Sequence, residues 1–443
     1  MPRAFLVATI CLGLAGISGA DEPTAAQRGR QALLTRAFNL ATWRISDYDD
    51  AWQHWSSEPK QPENYAQAFM ARYGLHPAPY DNGRYPMGVR EGNSLVGKGL
   101  TTDCLLCHGG SIAGKSYIGL GNSTLDIQAL FEDMGKASGG KGKTPFTFSN
   151  ARGTSEAAGM AVFLLSYRDP DLSLRLKPLD LGLRDDLCED VPAWWLLKKK
   201  KTMYHTGATD ARSVRSLMQF MLVPFNLKST FEKEESTFKD IQAFLLSLEA
   251  PKYPFPIDKE LAAQGAVLFK ENCSKCHGTY GDKWTYPNKI VPIETIGTDK
   301  NRLEGLSKRY GEHYLKSWFA QEKGVKNMES PSGYQAPPLD GIWATAPYFH
   351  NGSVPTVYHV LNSKARPKMF TRSFATGEKD YDQAKLGWKI QVLRHSPDPK
   401  LPAYERRKVY DTSQPGRGNS GHTFGDHLDD AQRRAVIEYL KTL

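Results

Sequence analysis

The feature that most constrains this chain is a five-residue pattern met twice, at Cys104-Leu105-Leu106-Cys107-His108 and at Cys273-Ser274-Lys275-Cys276-His277. Two thiols three positions apart reach the two vinyl groups on one edge of a porphyrin. The histidine that follows lies beneath the ring and offers a nitrogen to its iron. C-x-x-C-H is thus the attachment sequence of c-type haem. A zinc site would pair C-x-x-C with a second such motif or with nearby histidines, and a redox dithiol does not need a histidine in the next position twice over. The expectation is two covalently bound c-type haems, with His108 and His277 as iron ligands.

The remaining cysteines fit no disulfide framework. Cys11 lies in the first twenty residues, where Arg3 precedes an apolar run over 4–17 and the small residues Ser18-Gly19-Ala20. That order reads as an export leader (residues 1–20) cleaved near Ala20, which places the mature chain in the periplasm. The run of about 14 residues is short of the ~20 that cross a bilayer, and no later stretch approaches that length, so no stable membrane span is expected. Cys188 is left alone and reads as a small buried hydrophobe.

About 420 mature residues exceed what one core usually holds, which argues for two domains. Pro251-Lys252-Tyr253-Pro254-Phe255-Pro256 forbids helix continuation and marks the boundary. The division is an N-terminal haem domain over 21–250, a connector over 251–256 and a C-terminal cytochrome c-like haem domain over 257–443. A hydrophobic content of 40% and a charged content of 24% are those of an ordinary globular protein. The net charge of +9 would be lowered by haem propionates. No basic stripe interleaved with aromatics points to nucleic acid.

Apolar periodicity predicts helices over 24–56, 63–73, 154–166, 211–223, 234–249 and 429–443, and one over 261–269 leading into Cys273. A further helix over 123–134 would be capped by Ser123 or Thr124. Residues 74–100, with Pro77, Pro79, Pro86 and several glycines, read as loop. Strand signals are scarce. The fold class is mainly α: two cytochrome c-like haem domains with long loops and little strand.

The stretch Ala336-Pro337-Pro338-Leu339-Asp340-Gly341-Ile342-Trp343-Ala344-Thr345-Ala346-Pro347-Tyr348-Phe349-His350-Asn351-Gly352-Ser353-Val354-Pro355-Thr356 resembles the segment after the second haem in bacterial dihaem cytochrome c peroxidases and their relatives. It is most similar to the branch of the dihaem rubber oxygenases. Asn419-Ser420-Gly421-His422-Thr423-Phe424-Gly425, Gly109-Gly110-Ser111 and residues 119–126 resemble the same branch. The resemblance implies one haem, the N-terminal one, with an open sixth position for dioxygen or peroxide. It implies a second, six-coordinate haem that moves electrons, and a tryptophan between the two. The chain is shorter than the rubber oxygenases, and the methionine that caps one haem in many of the peroxidases has no counterpart near Lys364.

Of the nine histidines beyond the two motifs, His422 is the first choice as sixth ligand of the second haem. Its glycine-flanked turn lets backbone approach a flat ring, and it matches the family's C-terminal histidine. His427 and Met369 are the alternatives. Trp195, from the pair Trp194-Trp195, and His350 are the candidate catalytic residues. The indole would relay an electron or exclude water; the imidazole would meet a propionate or position a water. Simple core packing and a loop histidine are the competing readings. The run Lys198-Lys199-Lys200-Lys201 reads as a solvated face, or else as a docking patch for a redox partner protein or a counter-charge for propionates. His54, His76, His205, His313, His359 and His395 read as ordinary histidines.

The function this supports is a periplasmic dihaem oxidoreductase using dioxygen or peroxide. The alternative is a dihaem electron-transfer cytochrome without turnover.

Overall fold

The 25–35 helix starts at Thr24, whose hydroxyl accepts from the Gln27 amide while the Gln27 side chain accepts from the Thr24 amide. This reciprocal cap satisfies two amides left orphaned at a helix start. A computed structural model describes residues 22–55, 60–326 and 331–443; the leader read over 1–20 lies outside the described residues. The architecture is mainly α, with five two-stranded sheets and one three-stranded sheet among the described residues.

Two close helix pairs frame the molecule. Ala25–Thr35 lies against Lys228–Ser247, where Phe231, Phe238, Ile241 and Leu245 recur at seven, three and four residues and form one buried stripe. Lys259–Asn272 lies against the closing helix Asp430–Leu440. Each pair has a glycine at its crossing. A Cβ on Gly29 would sit 1.9 Å from the Asp240 carbonyl oxygen, and one on Gly265 would sit 1.8 Å from that of Ala435.

Three sequence expectations are corrected. The helix expected over 24–56 is broken: Ile45–Asp50 and a 3-10 turn, Ala51–His54, follow an extended stretch. That stretch stays extended because it pairs with Leu100: Thr42 and Trp43 both donate to the Leu100 carbonyl. Their partner belongs to the second correction, a hairpin of Val89–Ser94 and Gly97–Thr102 inside the segment read as loop. Its glycines Gly92 and Gly99 hid the strand signal, yet they are what lets residues 37–43 approach so closely. Third, the helix after the first motif runs Ile127–Ala137 and is capped by Asp126. The Thr124 hydroxyl is committed elsewhere, to His76, Asn122 and the Gly74 carbonyl. Smaller differences are that 211–223 is a helical turn, Val214–Leu217, followed by a 3-10 turn, and that the helix expected from 234 begins at Lys228.

The buried cores cross the middle of the chain. Leu33, Met218, Phe231 and Phe238 share one cluster with Trp318 and Phe319. Ile112, Leu120 and Trp195 share another with Trp343, Trp388 and Ile437. Residues 251–256 run without helix between the two halves, with Tyr253 and Phe255 against Trp343 and Tyr381. No helix among the described residues is long and apolar enough to cross a membrane.

Candidate functional site

Each C-x-x-C-H motif closes on one turn of helix, Leu105–His108 and Ser274–His277, which puts its two thiols on one side. The first turn is fastened by Asp103, which accepts from the Leu105 amide at 2.7 Å and forms a buried ion pair with Arg90. The second follows directly from the Lys259–Asn272 helix. Burial pushes the Cys107 thiol up to about 12, Cys104 further still and Cys273 to about 11. These are protonated thiols near neutral pH, unlike the thiolates of reactive or redox cysteines.

The imidazole of His277 donates from Nδ1 to the Pro337 carbonyl at 2.8 Å. That bond fixes the tautomer and leaves Nε2 with a free lone pair, as a metal-ligating histidine requires. Burial lowers its pKa. His422 stands opposite, ring centre 6.3 Å away and inclined by 56°. Two imidazoles on opposite sides of one metal, with bonds of about 2.0 Å, place their ring centres about 6 Å apart. Burial, then the neighbouring His277, pushes the His422 pKa down to about 4, so it is neutral over the physiological range.

Backbone geometry holds His422 there. Its φ is 44° and its amide donates to the Ile296 carbonyl at 2.7 Å. Gly421, at φ 73°, has no room for a side chain, since a Cβ would lie 2.2 Å from the Gly297 carbonyl carbon. The Arg366 guanidinium donates to the carbonyls of Asn419 and Gly421, each at 2.7 Å, and to that of His422. Of the alternatives, His427 bonds to Asn272 and Met369 lies in a short strand; neither lines the cavity described next.

Both motifs and His422 line one cavity of about 1810 Å³. A single small-ligand pocket is typically about 300–1,000 Å³, so the volume and the two sets of thiols and imidazoles suit two large flat groups. At the first motif the ring against His108 is not an imidazole but the Trp194 indole, stacked at 4.5 Å and 20°. Burial pushes His108 down to about 4, against a small opposing pull from the Pro192 carbonyl.

Trp195 points the other way. It is buried in the core with Leu339 and Trp343, and its indole N–H donates to the Asp340 carbonyl at 2.8 Å. Trp194, not Trp195, lines the cavity. His350 does line it, stacked on Tyr334 at 4.0 Å and 15°, with its Nε2 buried and unpartnered.

Sequence reasoning left His205, Glu189 and Arg302 outside the site and weighed Lys200 only as part of the lysine run. His205, read as ordinary, lies 6.2 Å from His350 between ring centres and donates from Nε2 to the Asp190 carbonyl. Glu189 and Arg302 form a buried ion pair at 2.7 Å. Lys200 is buried and lines the cavity. The lysine run is thus not one solvated face: Lys201 is exposed, Lys198 pairs with Glu249, and Lys199 pairs with Asp340 at 2.7 Å beneath Tyr280 and Trp284. His76, His313 and His359 are hydrogen-bonded to Thr124, the Arg168 carbonyl and Thr356, as ordinary histidines are. Cys188 is buried, as its isolation suggested.

Residues 333–371 match the family described as RoxA-like, cytochrome c-like. Two relatives, both from Sinorhizobium fredii (strain NBRC 101917 / NGR234), are uncharacterized proteins. The one called y4iM is 33% identical over 241 residues, covering 45% of this chain and 52% of its own length. The one called y4iJ is 29% identical over 262 residues, covering 44% of this chain and 41% of its own. The chain thus spans about half the length, or less, of these curated relatives. Among solved structures, a MauG-like protein associated with microbial copper homeostasis aligns with a TM-score of 0.29 at 16% identity, over 68% of this chain and 94% of that one. Hydrazine synthase from Kuenenia stuttgartiensis aligns with a TM-score of 0.26 at 13% identity, over 68% and 89%. Over 333–371, the stretch that holds Pro337 and His350, the chain is cytochrome c-like, and beside two C-x-x-C-H motifs that is the signature of haem redox function.

Proposed function

We propose that this chain is an exported, periplasmic dihaem c-type cytochrome acting as an oxidoreductase. Cys104, Cys107 and His108 hold a haem with a position open to dioxygen or peroxide. Cys273, Cys276, His277 and His422 hold a six-coordinate haem for electron transfer. The observation that carries this reading is the asymmetry between the motifs: His277 faces a second imidazole at 6.3 Å, whereas the aromatic contact of His108 is Trp194, stacked on the face of its imidazole and not a ligand. Bound haem supplies one-electron redox chemistry and, at an open iron, binding of small oxygen ligands.

The protein's own groups have separable tasks. Pro337 fixes the His277 tautomer. Trp194 keeps water from one face of His108. Trp195, next in sequence, reaches Asp340, three residues after Pro337. The two indoles thus form a short route for an electron between the two sites. His350 borders the cavity, and its Nε2, buried without a hydrogen-bond partner, is the group nearest to hand for holding or releasing a proton there. A redox partner protein would deliver electrons for peroxide reduction, whereas oxygenation needs none in net.

The test is electronic absorption and low-temperature EPR of the oxidised holoprotein, with and without peroxide, for the parent and for His422→Ala. The expected result is one high-spin signal altered by peroxide and one low-spin signal lost in His422→Ala. Two low-spin haems unmoved by peroxide would overturn the enzyme reading in favour of an electron carrier.

A further inference from the structure

Lys200 is 8% exposed and borders the cavity that both attachment motifs share. Among the described residues its ammonium makes no hydrogen bond or ion pair, and burial alone acts on it. A buried charge without a partner costs several kcal/mol, so such a group is retained where an anion arrives to meet it. The nearby carboxylates are already engaged. Glu189 is held by Arg302, Asp340 by Lys199, and Asp190 feels Arg372 rather than Lys200. Around Lys200 stand His205, which it influences electrostatically, and His350, whose Nε2 has no partner. Arg302 is paired with Glu189, which leaves the Lys200 ammonium without an ion-pair partner among the described residues.

The surroundings of Lys200 lead to the second motif. Its neighbour Lys199 lies over Tyr280, whose hydroxyl donates to the His277 carbonyl. The Gln335 amide donates to the His205 carbonyl at 2.7 Å, two residues before Pro337. Tyr334, stacked on His350, shares a cluster with Val291 and Ile296 that packs on Cys276.

We infer that Lys200 is the counter-charge for a carboxylate that enters with the second haem, a propionate of the group anchored at Cys273, Cys276 and His277. This rests on the proposed haem attachment but not on the choice between enzyme and electron carrier.

The test is redox titration of both haems by spectroelectrochemistry, in buffer free of small carboxylates and again with formate added, on the holoprotein and on Lys200→Met, Lys200→Gln and Lys200→Arg. Loss of a positive charge near an iron disfavours its reduced form. The haem whose spectrum His422→Ala alters is therefore expected at a lower midpoint potential in Lys200→Met and Lys200→Gln, with the other haem unmoved, and Lys200→Arg close to the parent. Should Lys200→Met fail to mature, the contrast between Gln and Arg still decides. Unchanged potentials, or a shift confined to the other haem, would overturn the assignment. A shift that appears only with formate would replace the propionate by a diffusible carboxylate and overturn it likewise. Haem content by the alkaline pyridine spectrum tests attachment separately: two haems with no shift defeats the Lys200 assignment alone, while fewer than two defeats the proposed function.

Discussion

At the scale of single residues, the chain spends buried polar groups freely around the cavity. Glu156 is fully buried and accepts from the Leu187 and Cys188 amides and from Asn150. It braces the segment that leads to Trp194. Burial is the largest influence on it and pushes its pKa up from 4.5 to about 7. Because the folded state holds this proton more tightly than the unfolded chain, the stabilisation is complete below about 4.5. It is lost as pH rises through about 7, on the order of 3 kcal/mol in all. Glu156→Gln is expected to flatten the fall in thermal stability between pH 5 and pH 7, read from melting temperatures of both proteins across that range. A parent whose stability rises over the same interval, with the variant following it, would contradict the assigned sign. The tight turn at His422 was legible at this scale from its flanking glycines, because a left-handed turn against backbone leaves a mark in composition. Lys200 was not, since one lysine in a run of four carries no sign of which way it faces.

Between elements, two glycine-mediated crossings hold the helices that position the second motif and the N-terminal core. Lys259–Asn272 delivers Cys273, and its crossing with Asp430–Leu440 closes at Gly265. Even one methyl group there would meet the Ala435 carbonyl oxygen at 1.8 Å, so the helices must part. Overpacking of this kind costs about 1–3 kcal/mol. Gly265→Ala is expected to lower the melting temperature and to broaden the low-spin EPR signal of the haem proposed at Cys273, Cys276 and His277, through displacement of the turn that bears His277. An unchanged melt and spectrum would mean that the two helices separate without strain. Helix existence was readable from periodicity here, and the closing helix and the one leading into Cys273 lie close to where the pattern put them. The 89–102 hairpin was hidden because its glycines interrupt the alternation of its strands, while backbone partners at 41–43 and the burial of Val89 and Leu100 hold it in place.

For the whole molecule, the decisive fact is that cores are shared between chain segments far apart in sequence. Trp318 and Phe319 pack on Phe231, and Trp195 packs with residues beyond 338. Neither side could unfold without exposing large aromatic surface on the other. The holoprotein is therefore expected to unfold in a single calorimetric transition, with the ratio of calorimetric to van't Hoff enthalpy near one. Two resolved transitions, each keeping one haem spectrum native, would show instead that the halves are independent.

What the sequence by itself determined is the local: two C-x-x-C-H motifs, the run of helices, and a histidine in a glycine-flanked turn. Each is written in contiguous residues, where a fixed spacing or period is enough. What only the tertiary structure decided is facing. It turned Trp194 rather than Trp195 to the cavity, brought the Pro337 carbonyl to His277, and drew Lys200, His205 and Glu189–Arg302 onto one wall. Those choices are set by contacts across scores of residues, such as Trp195 to Asp340, and adjacent positions of like chemistry cannot record which of them will turn inward.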